Sequence, residues 1–282
     1  SADEKAAAEK IAINSAPAPP PSTAKPSFKP EWSQISGKLK QVSVDGDTVC
    51  GVNAHDHIYC KDSLSDGSWR KLPGGLKYVS VSGGKLYGVN RNDDIYYSPN
   101  TQGQWTRIPG KLKQVDLDGD TVCGVNSADH IFCKDSLTGG SWRKLPGGLK
   151  HVSVSGGKLY GVNRNDDIYY SPNTQGQWTR IPGKLKQVDL DGDTVCGVNS
   201  ADNIYCKDSL TGRDWTRLSG GLKHISVSGG VLYGVNSKDD IYSDEKAVSV
   251  NVAINSAQPA SPSAPTPTMA EGLFMFMGGE SG

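Results

Sequence analysis

The chain has 282 residues with thirty basic and thirty acidic side chains, so its formal net charge is zero. Without a basic surplus or stripe, a nucleic-acid partner is not expected. Hydrophobic residues make up only 35% while 34 residues are glycine, which argues against a helical protein and for short strands joined by tight turns. No apolar run approaches the roughly 18 residues needed to span a bilayer, so no membrane insertion is expected.

In chain order, residues 1–30 form an Ala/Pro-rich tail that opens at Ser1 without a charged-then-apolar leader, as expected of a secreted chain whose signal peptide has been removed. A repeat then begins. The six tryptophans, Trp32, Trp69, Trp105, Trp142, Trp178 and Trp215, are spaced alternately by 37 and 36 residues. Each is followed at a fixed distance by Gly-Val-Asn, from Gly51-Val52-Asn53 to Gly234-Val235-Asn236, and then by an Ile-aromatic pair. Six units therefore fill 31–242. A longer period lies above this one. Residues 68–140 and 141–213 differ only at Tyr78/His151, His130/Asn203, Phe132/Tyr205 and Gly140/Arg213. The larger unit is a dyad of 73 residues present three times, and surface features should recur in threes.

Within one repeat the alternation marks four strands, in the third Trp105–Ile108, Leu112–Leu117, Thr121–Asn126 and Ile131–Lys134, with Pro109-Gly110 and Asp118-Gly119 as tight turns. Four antiparallel strands make a propeller blade, and six blades close a ring with only short exposed edges, so the expected fold is an all-β six-bladed β-propeller. A β-helix is the weaker alternative, since its coils are shorter and parallel. Ring closure recruits either the strand near Trp32 or Ala247–Ala253.

The pattern W-x-x-I/L-x-G-x-L-K…G-V-N-x-x-D-x-I-Y closely resembles the tectonin repeat of tectonin-type tachylectins, fish-egg lectins and fungal or slime-mould tectonins. That resemblance implies a propeller lectin, with glycans or lipopolysaccharide as partners.

Cys50 and Cys60 flank one hairpin, as do Cys123 with Cys133 and Cys196 with Cys206. Pairing Asn53 with His57 sets Cys50 opposite Cys60, and the even repeats exchange the whole pair for Tyr87/Tyr97 or Tyr160/Tyr170. Three disulfides within single blades are predicted, and with them an oxidising, extracellular compartment. Reduced thiols in a cytosolic protein are the alternative. The last repeat departs from the pattern, with Tyr233 facing Ser243.

Strand direction places the Pro-Gly and Asn-x-x-Asp turns on one rim, and the Asp-Gly turns and inter-blade loops on the other. The candidate carbohydrate contacts are Asn90, Arg91, Asn92, Asp93 and Asp94, with Asn163, Arg164, Asn165, Asp166 and Asp167 as their repeat. Amides, carboxylates and guanidinium groups suit paired sugar hydroxyls, although Asn and Asp also serve turns through their own backbone. The tryptophans are sugar platforms or, being present in every repeat, blade-packing residues. Lys77 and Lys113 read as solvated strand-face charges. Asp116-x-Asp118-Gly119-Asp120 resembles part of a calcium loop but lacks the distal Glu, which leaves a plain hairpin turn as the alternative. His55 and His57 read as surface residues. No metal site or other cofactor is expected. No Gly-x-Ser-x-Gly elbow or phosphate loop is present and the acids recur symmetrically, so no enzyme is expected.

Residues 243–282 repeat the first tail: Asp3–Ala6 matches Asp244–Ala247 and Ala12–Ala16 matches Ala253–Ala257, both at an offset of 241. Met269, Met275 and Met277 sit with Leu273, Phe274 and Phe276 in the closing apolar segment. The tails are expected to self-associate, giving an oligomer or filament. Two readings emerge: a secreted, multivalent lectin, and a structural subunit of an extracellular assembly.

Overall fold

A computed structural model describes residues 30–64 and 67–244; the tails, and the expectations placed on them, lie outside the described residues. The described chain is a six-bladed propeller of four-stranded antiparallel sheets. The inner strands Gln41–Asp45, Tyr78–Ser82, Gln114–Asp118, His151–Ser155, Gln187–Asp191 and His224–Ser228 touch one another in a closed circle around the axis.

Blade and sequence repeat are offset by one strand. Each blade takes its inner three strands from one repeat and its outer strand from the next, as Gln41–Asp45, Thr48–Val52 and Ile58–Lys61 are completed by Arg70–Leu72. The segment after each tryptophan is thus the outer edge of the preceding repeat's sheet. The same offset closes the ring. The strand Ser33–Lys38 has no preceding repeat and pairs with Asp240–Asp244, with Ser33 opposite Ser243 and Ile35 opposite Ile241. Of the two expected closures, the described residues contain the one near Trp32.

The glycine of Gly-Val-Asn is dictated by close approach. A Cβ on Gly51 would lie 2.5 Å from the Gln41 carbonyl oxygen and 2.6 Å from Leu39 Cδ1. The aspartate at the third place after each Asn is left-handed, with φ from 63° to 66° at Asp56, Asp93, Asp129, Asp166, Asp202 and Asp239. Aspartate tolerates this conformation better than most residues.

The apolar core lies between blades, and its six clusters alternate in kind. Cys50, Val52, Ile58, Cys60 and Leu72 of one blade pack on Leu76, Val79, Val81 and Leu86 of the next. The following interface is built from Tyr87, Val89, Ile95, Tyr97 and Ile108 against Leu112, Val115, Leu117 and Val122. The three disulfides Cys50–Cys60, Cys123–Cys133 and Cys196–Cys206 join directly opposed residues with Cα atoms 4.1 Å apart. In the alternate blades Tyr87 faces Tyr97 and Tyr160 faces Tyr170, each with ring centroids 5.5 Å apart. Tyr87 and Tyr160 also donate to the carbonyls of Leu137 and Leu210 in the next inter-blade loop, while Tyr233, opposite Ser243, reaches Leu64 across the closure.

Polar clasps fasten the inner strands. Gln41, Gln114 and Gln187 each donate to and accept from the backbone of Val79, Val152 or Ile225 in the next blade. Two residues further on, a side-chain oxygen takes the next blade's N–H at all six junctions. Ser43 takes Val81, Ser80 takes Leu117, Asp116 takes Val154, Ser153 takes Leu190, Asp189 takes Val227 and Ser226 takes Val44.

Candidate inter-blade binding grooves

Three interfaces of the tyrosine kind carry an irregular outer strand. In Thr106–Lys111, Asp94 pairs with Lys111 and Ile95 with Ile108, so Pro109-Gly110 bulges out of the ladder. Thr179–Lys184 does the same opposite Asp167 and Ile168, and Ser33–Lys38 opposite Asp240 and Ile241. Pro109-Gly110 is therefore a bulge within a strand and not the expected turn between two strands. Such bulges re-aim side chains. Here the bulge brings Lys111 Nζ to 2.8 Å from Asp94 Oδ1, where Arg107 Nη2 also donates at 2.6 Å. Lys184 and Arg180 share Asp167 in the same way. Two cations on one carboxylate hold Asp94 far below the ordinary aspartate range and Asp167 at about 2, the lysine hydrogen bond first and the arginine second.

Beside each bulge lies a groove. Gly110, Lys111 and Leu112 form its floor and one wall, with Ile95, Asn126, Phe132 and Trp142 around it. The relatives 73 residues away are the grooves of Lys184, Asn199, Tyr205 and Trp215 and of Lys38, Asn53, Tyr59 and Trp69. Their volumes run from about 270 to 310 Å³, at the small end for ligand sites. A fourth groove of about 220 Å³, lined by Trp32, Asn236 and Tyr242, lies at a cysteine-type interface and has Gly220-Gly221 where the others have Gly-Lys.

The tryptophans take the blade-packing role, with part of each ring left exposed. Each indole N–H donates to a carbonyl of the preceding blade, as Trp142 to Pro109 and Trp215 to Pro182, both at 2.8 Å. Each ring packs against an inter-blade core while remaining half-exposed, and four of the six line the described grooves. On the opposite rim, buried Lys134 and Lys207 lie with Nζ 5.2 and 4.7 Å from the centroids of Trp142 and Trp215. Burial pushes the Lys207 ammonium down to about 8.

Most of the expected sugar contacts are engaged in the turns that carry them. Asn90 and Asn163 accept two backbone N–H bonds each, from Asn92 and Asp94 and from Asn165 and Asp167. Arg91 and Arg164 reach across to Asp56 and Asp129 of the neighbouring blade. Asp93 and Asp166 take Lys77 and Lys150. Asn92 and Asn165 stand exposed at the turn tips, each giving its carbonyl to the groove lysine. Asp94 and Asp167 contribute through that same lysine. The second aromatic of each groove (Tyr59, Phe132 or Tyr205) and the groove lysines were missed in the sequence. Their signal was the Gly-Lys versus Gly-Gly alternation after each bulge or turn, which follows the 73-residue period.

Two further expectations, on the strand-face lysines and on the symmetry of the acids, are corrected. Lys77 and Lys113 are half-buried and ion-paired to Asp93 and Asp129, so they are not solvated strand-face charges. The carboxylates of the calcium-like motif diverge. Asp116 turns into the axial channel, Asp118 accepts the Gly156 N–H at 2.7 Å and Asp120 pairs with Lys85 at 2.9 Å. Among the described residues no three His, Cys, Asp or Glu side chains gather as a metal cluster. His55 and His57 stack on the surface with centroids 5.9 Å apart. The acids are also less uniform than expected: Asp116 and Asp189 are a half-buried axial pair, and Ser43 stands in the third equivalent place. Burial first, and for Asp189 the charge of Asp116, raises both above the ordinary range.

Among solved structures the chain is similar to YCF48 from Cyanidioschyzon merolae, at 12% identity, TM-score 0.51, covering 77% of this chain and 86% of that one. It is similar too to the Cps50 (Swd1) β-propeller domain of Myceliophteria thermophila, at 12% identity and TM-score 0.55, covering 75% and 98%. U3-55K matches at 8% identity and TM-score 0.55, over 74% and 81%. At such identities these likenesses speak for the propeller fold alone. No curated protein matches the chain. The tectonin domain model matches residues 23–136, 64–171 and 113–258, and with the repeats spread over those residues the chain belongs to the tectonin domain family.

Proposed function

We propose that this propeller is a multivalent carbohydrate-binding protein whose sites are the inter-blade grooves on the Asn-turn rim. The observation that carries the reading is the threefold groove, with a half-exposed Trp, a second aromatic ring, an Asn and a cation-carboxylate cluster around a cavity sized for a sugar ring. Aromatic faces cover the apolar face of a pyranose, and the Lys111–Asp94–Arg107 cluster offers both donors and acceptors to its hydroxyls. Repetition on a rigid ring turns weak single sites into avidity for repetitive surface glycans, lipopolysaccharide among them. Three disulfides among the described residues, with no free cysteine, suit an oxidising compartment and support secretion.

A glycan and lipopolysaccharide array, run with and without a chelator, tests the proposal. Binding to one glycan class should survive the chelator and fall at least about tenfold in Trp142→Ala combined with Lys111→Ala, through lost stacking and hydrogen bonds. Silence of folded protein across the array overturns it. The duplicated tail module favours a second reading, in which the propeller is a bead in an extracellular assembly joined through its tails. Light scattering decides that case: an assembly unchanged by removal of 243–282 refutes it.

A further inference from the structure

The inner strands line the axial channel with successive layers of side chains, each one pleat or about 7 Å from the next. Toward the Asn-turn rim stands the axial cluster of Tyr78, His151 and His224, where the Tyr78 hydroxyl lies 3.0 Å from His151 Nε2 and 3.3 Å from His224 Nε2. The middle layer runs around the ring as Ser43, Ser80, Asp116, Ser153, Asp189 and Ser226. Toward the opposite rim, Asp45, Asp118 and Asp191 accept the N–H groups of Gly83, Gly156 and Gly229.

In the middle layer one hydroxyl stands between two acids. Ser153 Oγ is 2.9 Å from Asp116 Oδ2 and 3.2 Å from Asp189 Oδ1, and it accepts the Leu190 N–H at 3.0 Å. A hydroxyl has one proton to donate and two lone pairs to accept with, so Ser153 cannot donate to both acids. Asp116 is fully served by donors. Its Oδ1 takes the Ser80 hydroxyl at 2.8 Å, and its Oδ2 takes the Val154 N–H at 2.8 Å beside the Ser153 hydroxyl. Asp189 Oδ2 likewise takes the Val227 N–H and the Ser226 hydroxyl. Asp189 Oδ1 differs, since among the described hydrogen bonds it meets the Ser153 oxygen alone. That oxygen has one lone pair left, and a proton on Asp189 Oδ1 fills it.

The surroundings favour the same proton. Burial, the larger cause for each ring, keeps both imidazoles neutral, His151 down at about 3 and His224 well below its ordinary value. The layer beyond adds only carboxylates. The lysine that precedes each inner strand is held by a turn aspartate, as Lys113 by Asp129 and Lys186 by Asp202. Lys85 and Lys158, on the adjoining strands, are held by Asp120 and Asp193. No cation is left to balance two charges on the axis.

We propose that Asp189 Oδ1 carries a proton in the folded ring and donates it to Ser153 Oγ, so that Asp116, Ser153 and Asp189 form an acid-tightened clasp across three successive inner strands. Loss of the proton to water leaves two carboxylates on one hydroxyl, and the Asp189–Ser153 contact turns from a hydrogen bond into lone-pair repulsion. Folding favours the protonated acid. The clasp's contribution is therefore whole below the ordinary aspartate pKa of about 4 and is lost as pH rises through the higher value that Asp189 has in the ring. The clasp occurs once in the ring, because the third dyad has Ser43 in place of the acid.

The test uses the full chain. Infrared absorption at about pH 5.5, where ordinary carboxylates are ionised, should show a protonated-carboxyl C=O band that Asp189→Asn removes. Asparagine keeps the Val227 and Ser226 contacts through its carbonyl and offers Ser153 a fixed N–H in the proton's place. Urea unfolding of both proteins against pH isolates the clasp, since His151, His224 and the other titrating groups are common to the two. The unfolding constant of the wild type relative to Asp189→Asn should rise about tenfold per pH unit from about pH 5 to 6, the slope for one proton. Should Asp189→Asn not fold, Ser153→Ala decides: it removes the acceptor and should shift the band, and an unmoved band refutes the clasp. A wild type without the band, a band retained in Asp189→Asn, or a ratio of unfolding constants flat in pH overturns it.

Discussion

Opening one disulfide separates two contributions that the fold combines. Cys123 and Cys133 are ten positions apart and both are completely buried in the core between two blades. On the chain-entropy model a loop of about 11 residues corresponds to ~3 kcal/mol of stabilisation through the unfolded state. Replacing both by alanine also removes two sulfur atoms from a packed interface, each worth about 1 kcal/mol if counted like a methylene. Cys123→Ala with Cys133→Ala should therefore lose about 5 kcal/mol, whereas a single reduced pair, with its sulfurs in place, should lose only about 3 kcal/mol. Urea unfolding followed by tryptophan fluorescence reads both. The other two pairs have the same separation and the same Cα distance, so their alanine variants should match within about 1 kcal/mol. A midpoint unmoved by reduction would show that the hairpins hold their register without the bond, and would refute the reasoning.

Two glycines of one repeat should respond differently to the same change. Gly124→Ala places a Cβ 2.6 Å from the Gln114 carbonyl oxygen and 2.8 Å from Leu112 Cδ1, which should cost about 3 kcal/mol or prevent folding. Gly119→Ala meets nothing within 4 Å but sits at φ +58°, and should cost about 1 kcal/mol; equal losses refute this account. Gln114→Ala strips both partners from the Val152 backbone and should cost about 2–4 kcal/mol, while a loss below about 1 kcal/mol would mean that water replaces the clasp. Lys207 has its folded pKa lowered to about 8 from 10.5. Its neutral form is therefore favoured by folding, so the stabilisation is full above pH 10.5 and is lost as pH falls through 8. The difference in melting temperature between pH 7 and pH 10 should shrink in Lys207→Met, and an unchanged difference rejects the burial argument.

The sequence made the ring legible because its signals are local and repeated. Trp spacing, Gly-Val-Asn and the Cys-for-Tyr exchange fix the hairpin register, and Cys50 does stand opposite Cys60. The outer strand was the weak point. It pairs across a repeat boundary, and alternation along one segment cannot tell which sheet that segment joins. Pro109-Gly110 illustrates the same limit. The dipeptide reads as a turn, but the ladder continues to Lys111 because Asp94 and Ile95 stay in place to receive it. The grooves were hidden for a related reason, since their walls come from two blades. Trp142 and Ile95 are distant in sequence, and their meeting follows from the one-strand offset. The axial cluster was visible only as a difference, Tyr78 against His151, with nothing in the sequence to show that the position faces the axis.

The offset and the 73-residue period together explain why the chain is built from dyads. An interface joins the outer face of one blade to the inner strands of the next, and two kinds alternate. A disulfide blade meets its successor through a glutamine clasp, as Gln41 on Val79. A tyrosine blade meets its successor through a ring that reaches the following loop, as Tyr87 to Leu137, and through a bulged strand that carries the groove lysine. Copying a single repeat would set like against like, a glutamine clasp facing another disulfide blade or two tyrosine pairs in succession. Copying the dyad keeps each face against the partner it fits. An even number of blades follows from this pairing, and the lysine grooves recur at every second junction because only those junctions carry the bulge. The spacing of the proposed sugar sites is in this sense a consequence of how the core packs.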